Sequence, residues 1–167
     1  MRKLIVSFFV LALALVAASS AIQAQTETAA GVAIETDIAL LRRDLRSDKK
    51  KLIALNLPLT ETEATKFWPV YDQYAAEMGK VNDEFYVLIK DFAQKQKTIT
   101  DAEATTMIDK WADLQVKQTQ TRKKYIPLIE KVISGRKTAY FFQIDRRLYA
   151  LMDLQTAMHL PLVIQEK

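Results

Sequence analysis

An all-α protein of four helices is the fold this sequence predicts, and three observations predict it. Apolar residues recur at alternating three- and four-residue steps over long stretches, the mark of amphipathic helices with a narrow seam. The 167 residues include only three glycines and four prolines, so turns are few and elements are long. Thr60 with Glu63, and Thr100 with Glu103, form two Thr-x-x-Glu boxes ahead of the longest periodic stretches, and such boxes cap helix N-termini. The expected architecture is a shallow layer of long helices, the second of them kinked.

The chain begins with Arg2 and Lys3, followed by an apolar run from Leu4 to Ala18 and the small-residue ending Ala21-Ile22-Gln23-Ala24. A basic start, a short apolar centre and a small residue at the cut describe a secretory signal peptide. Residues 1–24 are therefore expected to be removed, and the mature chain is expected in the periplasm. The run is shorter than the roughly 20 residues that span a bilayer, so no stable membrane insertion is expected after cleavage. No cysteine follows the cut, which excludes a lipoprotein.

Composition narrows the function classes. The signal holds two of the 24 basic residues and none of the 20 acidic ones, leaving a mature net charge of +2. An exported protein this close to neutral is not expected to bind nucleic acid. Without cysteine there are no disulfides and no thiolate ligands, and His159 is the lone histidine. A typical zinc or copper site is therefore not expected. No serine stands in a nucleophile elbow and no glycine-rich loop could cradle phosphate. No catalytic residue, cofactor or metal is assigned, and the chain is not read as an enzyme.

Residues 25–32 are small and polar and read as a flexible leader, ahead of one helical domain over 33–160. The first helix starts near Ala33, with Ile34, Ile38, Leu41, Leu45, Leu52 and Leu55 as its apolar positions. Arg42, Arg43, Arg46 and Lys50 share a sector of roughly 100° beside that stripe. They form either a solvated face paired with acidic neighbours or a basic rim for acidic clients, anionic lipid or a partner. Pro58 ends this helix.

The second helix opens at the Thr60–Glu63 box, with Glu61 adding favourable charge at the positive end of the dipole. Its seam is Ala64, Phe67, Tyr71, Tyr74, Met78, Val81, Phe85, Leu88 and Phe92. Pro69 lies inside it and predicts a kink. Phe67, Trp68, Tyr71 and Tyr74 form either a packing node where helices cross or an exposed aromatic patch, and Trp68 is a candidate contact for a client.

The third helix opens at the Thr100–Glu103 box. Its seam runs Ala104, Met107, Trp111, Leu114, Gln118, Thr121, Tyr125, Leu128 and Val132. Burying Gln118 and Thr121 unpaired would cost on the order of 1–3 kcal/mol each. They must meet partners, set the register or face water. Gly135 after Ser134 reads as a left-handed helix stop. The last helix then covers about 137–159, with Phe141, Ile144, Leu148, Leu151, Gln155 and Met158 on its inner stripe and a short tail over 161–167. Its other faces are also apolar, which predicts a homodimer. Within it, Arg146 and Arg147 either pair with a carboxylate of the second helix or contact a client.

The signal peptide, the all-helical body and the Leu59-Thr60-x-x-acidic box together resemble the Spy/CpxP group, the LTxxQ-motif family of periplasmic proteins, over roughly 52–154. Here Glu63 stands where the family motif has glutamine. The chain also looks like a set of exported bacterial helical proteins that share Phe-Trp-Pro-Val-Tyr, here residues 67–71, and a late Phe-Phe-Gln-Ile-Asp-Arg-Arg-Leu, here 141–148. The Spy/CpxP resemblance implies a curved antiparallel hairpin dimer acting as an ATP-independent chaperone or an envelope-stress adaptor. The expected function is thus a periplasmic chaperone-like protein that holds unfolded envelope proteins. The alternatives are an adaptor docking one folded partner and a structural envelope protein.

Overall fold

A computed structural model describes residues 48–160 and 162–163. The expected signal peptide, the leader, the start of the first helix with Arg42, Arg43 and Arg46, the side chain of His159 and most of the tail lie outside the described residues. The described residues are all-α. Helix α1 is described over 48–56. It is followed by α2 (Glu61–Lys95), α3 (Asp101–Glu130) and α4 (Gly135–His159).

Both capping boxes form as the sequence predicts. The Thr60 N–H donates to Glu63 Oε2 at 2.8 Å and the Glu63 N–H to Thr60 Oγ1 at 3.3 Å. The same exchange at Thr100 and Glu103 measures 3.0 and 3.3 Å. Each box satisfies N–H groups that the first turn of a helix leaves without intrahelical partners. Helix α2 then runs unbroken through Pro69 for 35 residues, about 52 Å at the usual rise.

Cross-helix pairs fix α2 and α3 as an antiparallel hairpin. Lys124 bonds Glu77, Gln118 Nε2 reaches Asn82 Oδ1 at 3.3 Å, Lys117 Nζ meets Glu84 at 2.5 Å, and Phe85 packs edge-on to Trp111. Gln118 thus meets a partner across the hairpin. Thr121 spends its hydroxyl on the Lys117 carbonyl at 2.9 Å. Neither polar residue leaves the seam unsatisfied.

The core lies at one end, where all four helices meet. Ile53 of α1 and Leu57 just after it, Phe67, Tyr71, Tyr74 and Met78 of α2, Tyr125 and Ile129 of α3, Ile133 in the following turn, and Phe141 and Tyr149 of α4 form one buried cluster. Its centre is aromatic. Phe141 sits 5.3 Å from Phe67, 5.9 Å from Tyr74 and 4.8 Å from Phe142, all edge-to-face, an arrangement that places ring edges on ring faces. The aromatic stretch of α2 is therefore a packing node. Trp68 is half-buried within it, 5.1 Å from Phe67.

Three expectations need correction. Gly135 is not a left-handed stop: no glycine has a positive φ among the described residues. Ser134 instead caps α4, its hydroxyl accepting from the Lys137 N–H at 3.3 Å, and Gly135 is the first helical residue. A side chain there would crowd Glu130, whose Oε1 lies 3.2 Å from the Cβ position. After Tyr125 the fully buried positions are Ile129 of α3 and Ile133 in the turn that follows, with the expected Leu128 and Val132 only partly buried beside them. Ile89 likewise joins the inner face of α2. A straight helix turns every 3.6 residues, so a seam counted at 3.5 drifts by about 20° per heptad. After four heptads the buried position has moved by one residue.

The inner stripe of α4 is Thr138, Phe141, Asp145 and Tyr149, while Leu151 and Met158 are exposed. A charged residue occupies the centre of the stripe because partners from the other three helices meet it there.

Candidate functional site

Asp145 is fully buried. Tyr74 of α2 donates its hydroxyl to Asp145 Oδ2 at 2.6 Å. Lys49 of α1 places its ammonium 2.7 Å from Oδ1, and Arg122 of α3 brings Nε to 3.6 Å from Oδ2. Both cations also lie over the ring of Tyr149, at 4.1 Å for Lys49 and 4.9 Å for Arg122. The Tyr149 hydroxyl accepts from Asn82 Nδ2 at 3.0 Å, which connects the cluster to the Gln118 bond. One acidic group thus joins all four helices.

The chemistry of this cluster is that of a structural knot. Burial and then the nearby Asp145 charge push the Tyr74 phenol well above its ordinary range, so it stays protonated and donates. Burial, followed by Asp145, also raises Tyr71. Asp145 itself is sealed from solvent, so no substrate reaches the carboxylate. A cleft of about 340 Å³ touches Lys49 and Tyr149 from the side of α1 and is lined along α2 by Ala75, Ala76 and Gly79.

A second ion pair ties the helix starts together. Lys137, in the first turn of α4, meets Glu63 Oε2 at 2.6 Å. Its hydrogen bond, then the Thr60 backbone N–H, holds the Glu63 carboxyl below the ordinary carboxylate range. The residue that caps α2 therefore also anchors α4.

The residues expected to bind a client separate into two groups. Lys50 pairs with Asp72 at 2.6 Å and lies 5.3 Å from the Trp68 ring centroid, so these two hold α1 against α2. Arg146 and Arg147 are exposed. The ion pair expected of them is formed by their neighbour Asp145, which turns inward and meets cations on α1 and α3. Sequence reasoning missed Asp145, Lys49 and Arg122. The signal was the four-residue step: Asp145 lies midway between Phe141 and Tyr149, and Lys49 lies one step before Ile53 and Leu57.

Directly opposite the knot, α4 presents a second stripe. Arg136, Tyr140, Arg147, Leu151, Leu154 and Met158 fall within a sector of roughly 60° at 100° per residue. Leu151, Leu154 and Met158 are 56%, 57% and 75% exposed, and Tyr140 is 43% exposed. Arg136 is exposed too, and Arg146 flanks the stripe. This outer face is apolar towards the C-terminal end and basic towards the N-terminal end. Its spacing is that of a helix seam without a covering helix among the described residues. No helix of the described residues is long and apolar enough to cross a membrane.

The chain matches no protein-family model, and no curated protein or solved structure matches it.

Proposed function

We propose that this is a periplasmic, chaperone-like binding protein that holds unfolded envelope proteins along the outer face of α4 without ATP. One observation carries the reading: a stripe of exposed Leu151, Leu154, Met158 and Tyr140 continues into exposed Arg136 and Arg147 on a helix whose opposite face is locked into the core. Contiguous apolar surface of this kind marks interaction sites. The arginines suit unfolded segments that carry acidic residues. The resemblance to the Spy/CpxP group supports the same reading.

A second reading rests on the spacing. Steps of three and four residues are what a single partner helix would fit, so the face would equally serve an adaptor that docks one folded partner, or a homodimer.

The deciding experiment follows light scattering of a denatured model protein diluted into buffer, with and without the purified protein and with no nucleotide. Suppressed aggregation near equal molar ratios is expected. Leu151→Ser with Leu154→Ser should raise the required ratio several-fold while circular dichroism stays helical. Arg146→Glu with Arg147→Glu should weaken capture of acidic segments and flatten its salt dependence. Unchanged suppression in both variants removes α4 as the client face. No suppression by the parent protein, together with one partner recovered at fixed stoichiometry, replaces the chaperone reading by the adaptor.

A further inference from the structure

Beyond the α4 face, a separate cleft of about 250 Å³ opens where the end of α4 lies across the α2–α3 hairpin. Its walls are apolar and aromatic. Phe85 and Tyr86 of α2, Trp111 of α3 and Met152 of α4 line it, with Phe85 and Trp111 in edge-to-face contact at 5.5 Å. The polar side chains converge from all three helices: Asn82 of α2, Gln115 and Gln118 of α3, and Asp153 and Thr156 of α4. Small-molecule sites have this composition, an apolar body with a small number of placed polar groups.

The charge on the cleft selects the ligand. Asp153 carries the one formal charge among the described residues that line it. It stands at the rim, open to water on one side and packed on the other. That partial burial holds its carboxyl above the usual range, against the opposing pull of Arg122. Arg122 is itself engaged by Asp145 and the Tyr149 ring. A carboxylate beside aromatic rings is a site for an organic cation, because both the charge and the negative faces of the rings attract it.

We infer that this cleft binds a small ammonium compound with an apolar body, its charge set against Asp153 and its hydrocarbon against Phe85, Trp111 and Met152. An anion would meet repulsion from Asp153. A neutral compound of the same shape would gain only the apolar contact.

Benzylamine hydrochloride, a cation at pH 7, is a suitable probe, with benzyl alcohol and sodium benzoate as neutral and anionic controls of the same ring size. Each is titrated calorimetrically into the purified protein. One saturable site for benzylammonium is expected, at least tenfold tighter than for benzyl alcohol, with no binding of benzoate. In the Trp68→Phe background, the remaining tryptophan, Trp111, should change its fluorescence over the same concentration range. Asp153→Asn, at an exposed position, should remain helical and lose at least tenfold in affinity for benzylammonium. The inference is overturned by the absence of saturable binding, by equal affinity for benzyl alcohol, or by Asp153→Asn binding as the parent does.

Discussion

Asp145 shows how one residue can hold four helices in register. A buried acid is costly unless cations and donors meet it, and here α1, α2 and α3 each supply a partner. Removing one member of such a cluster leaves the others buried without compensation, which typically costs 3–5 kcal/mol. Asp145→Ala should therefore lower the unfolding free energy by about 3–5 kcal/mol in urea, because Lys49 and Arg122 lose their shared anion. Tyr74→Phe removes one hydrogen bond to a charged group and should cost about 1.5–3 kcal/mol. A loss below about 1 kcal/mol for Asp145→Ala would mean that the knot does not organise the core. The surroundings of this residue were legible only in part. Hydrophobic periodicity passes over charged positions, so a stripe that includes Asp145 appears interrupted, and the exposed Leu151 and Met158 appear to continue it. The corrective signal is geometric: an anion on one stripe and a cation on another, each in step with buried neighbours.

At the scale of the helices, the sequence is most readable where local chemistry decides. Both N-termini of the hairpin are written in four-residue boxes and form as written. Thr60→Ala and Thr100→Ala should each cost about 1 kcal/mol, and amide exchange should quicken in the first turn concerned. The boxes also make stability depend on pH. Hydrogen bonding from Lys137 and the Thr60 backbone lowers the Glu63 carboxyl, and bonds from the Thr100 backbone and side chain lower Glu103. Both groups therefore contribute stability above the pKa of an unfolded carboxylate, and the contribution is lost as pH falls through their lowered values. Glu63→Gln with Glu103→Gln should flatten the acid side of the stability profile between roughly pH 5 and 3. A slope equal to that of the parent would show that the boxes carry no linkage. Less readable was the phase of long seams, where counting at 3.5 placed Leu128 and Val132 inward instead of Ile129 and Ile133. Gly135 was also misread, because a Ser-Gly pair serves an incoming helix as well as an outgoing one.

At the scale of the molecule, packing is unequal along the hairpin. Around Tyr74, Tyr125 and Phe141 all four helices contribute to one core. Beyond Ile89, where the end of α4 reaches the cleft beside Trp111, the described residues leave α2 and α3 largely to each other. Phe92 is buried there, yet neighbouring Val87 and Ile108 are exposed, and the groove around Leu88, Asp91 and Lys110 is open. Parts of a protein with fewer buried contacts open at lower free energy than the core. Native-state hydrogen exchange should therefore find the residues from about 93 to 108 opening at least about 2 kcal/mol more readily than those around Tyr74 and Tyr125. The outer face of α4 is anchored at the stable end over its first four turns, since Lys137, Asp145 and Tyr149 fix them to α2 and α1, and Leu151 and Leu154 follow directly on the anchored part. Under the proposed function, clients would thus meet a preformed surface rather than one made by local unfolding. Aggregation suppression should then persist in Asp101→Pro, which lacks a hydrogen-bonded N–H at the first helical position and leaves the tip intact. It should also persist in Ile108→Gly, which loosens the tip. Suppression that fell together with tip stability in Ile108→Gly would instead place client capture at the mobile end of the hairpin.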